Sequence, residues 1–353
     1  MPLVAAPALV DLVAAIMEGA GCAADEARTV ARRLVDANLV GHDSHGVLRV
    51  AQYLGWMREG NLRANRRPTV VFENDTIAIV DGERGFGQVV GEIAGRLGVD
   101  KARRGGIALV GLRNCGHLGR LGDWAELAAD AGCVSLHFLN TSGAMRVAPF
   151  GGSDRRLSTN PMCVGIPQAG APPVILDITT SMVAEGKLMV ARNKGERVPE
   201  GWIMDASGRP TTDPADFYAG GSLLTIGGHK GSGLSIVTDL LAGALTTGRS
   251  SDPEDRVLRN NMLSITIAPA VYDPAGDVLR EVHRFVAWVK ASPPAVAGEP
   301  VLAPGDVERA TRAKRERDGI ALDETTWRDL VSAASGVGID ATRARRLAGL
   351  AAE

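Results

Sequence analysis

Gly85-Phe86-Gly87-Gln88-Val89-Val90-Gly91 follows a short apolar run and opens a stretch with helical periodicity. Its spacing is G-x-G-x-x-x-G, one residue longer than the G-x-G-x-x-G turn that sets a pyrophosphate on a Rossmann helix. A turn followed by close helix packing accounts for these glycines. The chain therefore reads as α/β without a Rossmann domain.

Upstream, Thr69–Phe72 and Ile77–Val80 read as strands joined by the turn Glu73-Asn74-Asp75. The first 65 residues read as helical, because Leu9-Val10-Leu12-Val13-Ile16-Met17 recur at helical spacing. A second helix spans about residues 24–39, with Asp25 and Glu26 in its first turn. Downstream, residues 88–104 and 121–131 read as helices, and 107–112 and 134–139 as strands. Residues 140–161 form a Gly/Pro/Ser/Asn-rich loop of a length usually tied to function. Strands follow at 163–166 and 174–176, a helix at 180–192, a polar turn-rich stretch at 194–221 and a strand at 223–226. A helix runs from the glycine turn at 227 to about 245, then a strand at 263–267. The remainder reads as mostly helical, broken at Pro293-Pro294 and Pro304-Gly305.

Composition is that of an ordinary globular chain of 353 residues, 45 % apolar and 23 % charged. A net charge of −2 gives no basic field for nucleic acid. No apolar run reaches the roughly 20 residues of a membrane span. The first residues carry Asp11 and Glu18 and read as an amphipathic helix rather than a signal peptide. Cys22, Cys115, Cys133 and Cys163 form no C-x-x-C pair, as expected of reduced thiols in a cytoplasmic protein.

Three clusters carry chemistry. In Asp43-Ser44-His45-Gly46-Val47-Leu48-Arg49-Val50-Ala51-Gln52-Tyr53, a helix from His45 would stack His45, Arg49 and Tyr53 on one face. That face offers an acid/base, a fork for carboxylates and a phenol. Asn114-Cys115-Gly116-His117-Leu118-Gly119 places a histidine at the end of a strand, where α/β sites form. Gly227-Gly228-His229-Lys230-Gly231-Ser232-Gly233 lacks Walker spacing, yet it combines exposed backbone N–H groups, a helix start and a lysine, which together suit an anion. His137 and His283 fall in apolar elements and read as structural. There is no H-E-x-x-H, no other metal-ligand spacing and no G-x-S-x-G elbow, so neither a metal site nor an α/β-hydrolase is expected.

The stretch GHDSHGVLRVAQYL resembles the signature of the malate/L-lactate dehydrogenase family, the branch unrelated to the Rossmann lactate and malate dehydrogenases. The resemblance continues in order through GFGQVVG, NCGHLGRLGDWAELA, APFGG, LSTNPMCVGIP, LDITTSMVAEGK, GGHKGSGLSIVTDLLAGALTTG and LAPGDVERATRAKRERDGIALDETTW, covering nearly the whole chain. It implies a family-specific, non-Rossmann mixed-sheet cofactor domain packed with helical N- and C-terminal segments. The parts expected are residues 1–115 (helical, substrate-facing), 116–264 (cofactor-binding) and 265–353 (helical, returning to the first part). It also implies NAD or NADP as cofactor, a homodimer, and a small carboxylate substrate whose adjacent carbon gains or loses hydride. Family members act on malate, lactate, sulfolactate, ureidoglycolate, diketogulonate and cyclic imino acids.

By this resemblance Ser44 and His45 belong to the catalytic motif, Arg49 grips the substrate carboxylate, and His117 matches a histidine assigned as acid/base in some members; Tyr53, on the expected shared face with Arg49, is read as facing the substrate too. Ser142, Asp177, Ile178, Thr179, Lys230, Pro304, Gly305 and Asp306 would line the cofactor. The chain departs from the family at Thr179, at His229 and in Arg259-Asn260-Asn261-Met262-Leu263. Between the two histidines the expected proton donor is His45, with His117 the competitor. The expected activity is hydride transfer between NAD(P) and a 2-hydroxy or 2-oxo acid. The alternatives are a cyclic imino acid reductase with the same site and a non-catalytic dinucleotide-binding protein.

Overall fold

The computed structural model describes residues 1–255 and 257–351. Residues 352–353, the end of the expected C-terminal helical part, lie outside the described residues.

A seven-stranded sheet organises the chain, in the order 69–73, 77–81, 107–115, 259–267, 134–142, 162–168 and 171–178. Only the pair 77–81 and 107–115 is parallel. Its crossover is the helix Gly87–Gly105, whose Val90 and Ala94 bury against the sheet. Every other neighbouring pair is antiparallel. The sheet is therefore mixed, and a doubly wound parallel arrangement is absent. The strand 259–267 lies between 107–115 and 134–142 and joins segments far apart in sequence. Three strands are longer than their apolar centres suggest: 107–115, 134–142 and 259–267 extend into polar residues that carry the site.

A second core joins the two ends of the chain. Helices Ala6–Gly19 and Ala24–Leu39 bury Leu9, Leu12, Ile16 and Leu34 against Ile320, Leu330 and Ala334. Leu3–Val4 pairs with Ile320–Ala321, a short ribbon that the periodicity alone does not reveal. Arg33 fastens this layer to the sheet layer. It meets Glu92 at 2.9 Å, and its guanidinium stands 5.3 Å from the Trp124 ring centroid. Such a cation–π contact contributes on the order of 0.5–2 kcal/mol.

Residues 180–226 differ from expectation. The helix there is Glu185–Lys194, starting later because Thr180 and Ser181 are held by backbone bonds to the Thr159 and Thr225 segments. The turn-rich stretch contains the strands 203–204 and 210–211 and the helix Pro214–Tyr218. With 222–223 these strands form a three-stranded sheet over a small core of Val147, Leu188, Ile203 and Phe217.

The helix Asp306–Asp318 straps across the segment leading into the first polar cluster. Arg312 meets Asp36 at 3.1 Å, Arg315 meets Asp43 at 2.6 Å, and Glu308 meets His42 at 3.4 Å. Asn38, nearly fully buried, donates to Asp43 and accepts the N–H of Val47, closing the turn from inside.

Candidate active site

The sequence places a helix through His45, but the structure breaks it. Asp43–His45 is one 3-10 turn, Gly46 is extended, and the helix begins at Arg49 and runs to Arg58. A side chain on Gly46 would collide with the Asn38 amide, which is why the chain turns there. His45 and Arg49 therefore do not share a helical face. The Arg49 side chain instead folds back toward the turn, its Nε donating to the Ser44 carbonyl at 2.7 Å. Its Nη1 donates to Gln52 Oε1 at 2.6 Å.

Tyr53, expected to face the substrate, instead points inward and is 1 % exposed. Its hydroxyl lies 2.8 Å from His117 Nδ1 and accepts from Gln88 Nε2 at 2.8 Å. His117 Nε2 lies 3.3 Å from His45 Nδ1, with the two rings nearly parallel. Gln88, Tyr53, His117 and His45 thus form one hydrogen-bonded row, the last of them partly exposed. The two candidate histidines are neighbours in one device.

Electrostatics keep both rings neutral. Burial, reinforced by the positive charge of Arg49, lowers His45 from 6.5 to about 3. The same two causes hold His117 well below its ordinary value. Burial pushes the Tyr53 phenol up to about 12, opposed by the Gln88 hydrogen bond and Arg49. Beside this row opens a cavity of about 210 Å³, lined among others by Gln52, Trp56, Gly116, Gly143 and Arg146. Arg146 pairs with Glu185. The Ser44 side chain stands close to Gly186 of that same segment.

The loop bearing His117 is held by residues that sequence reasoning singled out only as departures. Asn261 Oδ1 accepts from the Asn114 N–H at 2.9 Å, and Asn260 Oδ1 from the Leu118 N–H at 2.8 Å. Their signal was a run of two asparagines entering a central strand. Gln88 was missed as a site residue because it sits in a glycine turn read as packing.

The candidate cofactor residues divide into neighbouring groups. The backbone N–H of Ile226 donates to the Thr180 carbonyl at 2.9 Å, which seats the glycine turn beside Ile178 and Thr179. Gly227 and Gly228 have φ of 59° and 61°, a left-handed pair suited to glycine. Lys230 is exposed in the first turn of the helix His229–Asp239 and forms no ion pair among the described residues. That donor set, an unpaired ammonium at a helix N-terminus, fits a phosphate-bearing cofactor. Asp177 is half-buried and caps the helix Gly122–Asp130 by accepting the Gly122 N–H at 2.7 Å. Burial raises its carboxyl above the usual range. Asp177 and Gly305 border a cleft of about 30 Å³, and the Pro304 carbonyl accepts the Ile175 N–H at 3.2 Å. Asp306 is bound to Lys290 and Arg309, and the Ser142 hydroxyl is buried against Arg259.

His137 is structural, bonded to Ser264 at 2.9 Å and Ser135 at 3.0 Å. His283, by contrast, is exposed on the helix Asp277–Lys290. Among the described residues no cluster of three or more His, Cys, Asp or Glu is placed to hold a metal ion.

A paired histidine row and a folded-back arginine, set on a mixed, non-Rossmann sheet, make up this candidate site. The family model of malate/L-lactate dehydrogenases matches residues 4–331, and the chain belongs to that family. It is 41 % identical over 342 residues to hydroxycarboxylate dehydrogenase B of Escherichia coli K12, covering 95 % of this chain and 94 % of that one. It is 37 % identical over 323 residues to an L-lactate dehydrogenase of Cupriavidus necator, covering 90 % and 92 %. Among solved structures, delta1-piperideine-2-carboxylate reductase from Pseudomonas syringae pvar. tomato superposes with a TM-score of 0.84 at 30 % identity, covering 95 % of this chain and all of that one.

Proposed function

We propose that the chain is an NAD(P)-dependent dehydrogenase of small 2-hydroxy acids, equally a reductase of the corresponding 2-oxo acids. The observation that carries this reading is the pairing of His45 with His117 and the return of Arg49 onto the Ser44 carbonyl, next to a cavity lined by Gln52 and Gly116. The bound nicotinamide supplies the hydride chemistry. Arg49 binds the substrate carboxylate at little ordering cost, its side chain already fixed by Ser44 and Gln52 through Nε and Nη1. His45 passes a proton between its Nε2 and the substrate oxygen, and Ser44 orients that oxygen. His117 supports His45 from behind. Lys230 and the glycine turn hold a phosphate of the cofactor, Thr179 and Ile178 flank it, and the Asp177 and Pro304-Gly305-Asp306 segments complete its bed.

A second reading, reduction of a cyclic imine bearing a carboxylate, is favoured by the likeness to the piperideine-carboxylate reductase. The same Arg49 would take the carboxylate, with nitrogen in place of oxygen as proton acceptor. The discriminating experiment is a panel of 2-oxo acids and cyclic imino acids with NADH and with NADPH. Turnover of oxo acids supports the main reading. Turnover of imino acids alone selects the second, and cofactor binding without turnover points to a non-catalytic protein.

A second copy of the chain is the partner this reading entails. Its support is apolar side chains left in solvent: Leu234, Val237, Leu240 and Leu245 on one helix, and Phe285 and Trp288 on another. Light scattering at the mass of one chain would argue against it. The four cysteines are buried free thiols, which supports a reducing, cytoplasmic setting.

A further inference from the structure

We propose that Gln88 is a positioning residue that sets the direction of the hydrogen-bond row through Tyr53 and His117, and with it which ring nitrogen of His45 carries the proton. This rests on the reading of His45 as the proton donor.

The argument starts from the donor inventory. An amide NH₂ only donates, so Gln88 Nε2 makes the Tyr53 oxygen an acceptor at that contact. The single phenolic O–H is then free for His117 Nδ1. With Nδ1 accepting, His117 bears its proton on Nε2 and donates it to His45 Nδ1. His45 in turn bears its proton on Nε2, the one ring atom of the row without a partner among the described residues. One amide orientation thus fixes two histidine tautomers.

The opposite orientation would put Gln88 Oε1 against Tyr53 and turn every bond round, leaving His45 Nε2 bare. In the structure Gln88 Oε1 is buried and without a partner. The side chain therefore leaves its acceptor orphaned while keeping its donor on the phenol.

The charged groups acting on the row are few. Arg49, His42 and Arg120 face His45; Arg49 faces both His117 and Tyr53. The charges of Arg49 and Arg120, together with burial, disfavour imidazolium, so the tautomer is what varies in the row. In reduction one proton leaves His45 Nε2 for the nascent alkoxide. A second passes from His117 Nε2 to His45 Nδ1, and a third from Tyr53 Oη to His117 Nδ1. The charge left behind is a phenolate facing the Gln88 N–H and the Arg49 field. Once product departs, a water proton entering at His45 returns the row to its starting state. Oxidation is the reverse.

The test uses the full-length protein without added ligand for ¹⁵N NMR of the histidines, and kinetics against pH for Gln88→Met and Gln88→Glu. Both His45 and His117 are expected neutral with the proton on Nε2. Gln88→Met should lower kcat for reduction roughly tenfold or more, with both KM values little changed, and should mix the tautomers. In Gln88→Glu the protonated carboxyl donates to Tyr53 and keeps activity. Its carboxylate reverses the row, so kcat falls with rising pH along a limb the native enzyme lacks. Nδ1-protonated histidines in the native protein, or variant profiles parallel to the native one, overturn the proposal. If the native protein turns over no oxo, hydroxy or imino acid, the enzymatic reading fails, while the tautomer measurement still decides what Gln88 does.

Discussion

A β-carbon placed on Gly87 would stand 2.3 Å from the carbonyl oxygen of His117. The second glycine of the opening motif is therefore a spacer that lets the helix start touch the His117 loop. Gly87→Ala should push that loop and cost about 1–3 kcal/mol in stability through overpacking. It should also lower kcat more than it raises the cofactor KM. A folded variant with native kinetics would show that the loop has slack.

The two histidines should not be interchangeable. With His45 as the proposed proton donor, His45→Asn should cut kcat by about 10²–10⁴-fold, with cofactor binding retained. His117→Asn leaves His45 in place and should cost less. Parallel rate measurements on the two variants decide this. A larger loss at His117 would make it the donor.

Arg49→Lys keeps the charge and loses the fork. Lysine cannot hold the Ser44 carbonyl and Gln52 while also facing a carboxylate. The expected loss in kcat/KM is roughly 2–4 kcal/mol, comparable to breaking a desolvated charge pair. A near-native value would place the carboxylate site elsewhere.

Lys230→Ala should raise the Kd for the reduced cofactor roughly tenfold, about 1.4 kcal/mol, and leave the substrate KM nearly unchanged. Titration calorimetry with NADH and NADPH measures this directly. An unaltered Kd in a folded protein removes Lys230 from the phosphate site.

Acid should destabilise the fold before it protonates the buried histidines. Burial lowers His137 from 6.5 to about 4. Between those values the unfolded chain binds a proton that the folded chain refuses, so stability falls as pH falls. The slope for this residue is about 1.4 kcal/mol per pH unit, and its contribution is fully present above the unfolded value. His45 and His117 act with the same sign. Urea unfolding at several pH values should show the decline, and His137→Asn should make it shallower by about one proton. An identical slope in the variant would assign the acid sensitivity to other groups.

Much of this was legible in the sequence because it follows from local rules. Helical periodicity marked Leu9 to Met17, inside the observed helix Ala6–Gly19, and the helix at 24–39, while the extra residue in Gly85–Gly91 argued against the Rossmann turn. Ser44, His45, Arg49 and His117 do converge. What stayed hidden depends on partners remote in sequence. The break at Gly46 is imposed by Asn38, itself held by Asp43 and Val47. The inward turn of Tyr53 is decided by Gln88 and His117, thirty-five and sixty-four residues away. Spacing along a helix cannot report either.

The strand 259–267 completes the middle of the large sheet, not its rim. Strands 107–115 and 134–142 are finished long before it, yet neither has its inner neighbour until residue 267 has been synthesised. During synthesis these two ladders remain open toward each other, with unpaired backbone on facing edges. Closing them requires a loop of more than a hundred residues to be drawn in, which places the chain among slow folders of high contact order. The same insertion brings Asn260 and Asn261 to the His117 loop, so that loop gains two of its anchors only when the last strand of the large sheet is in place.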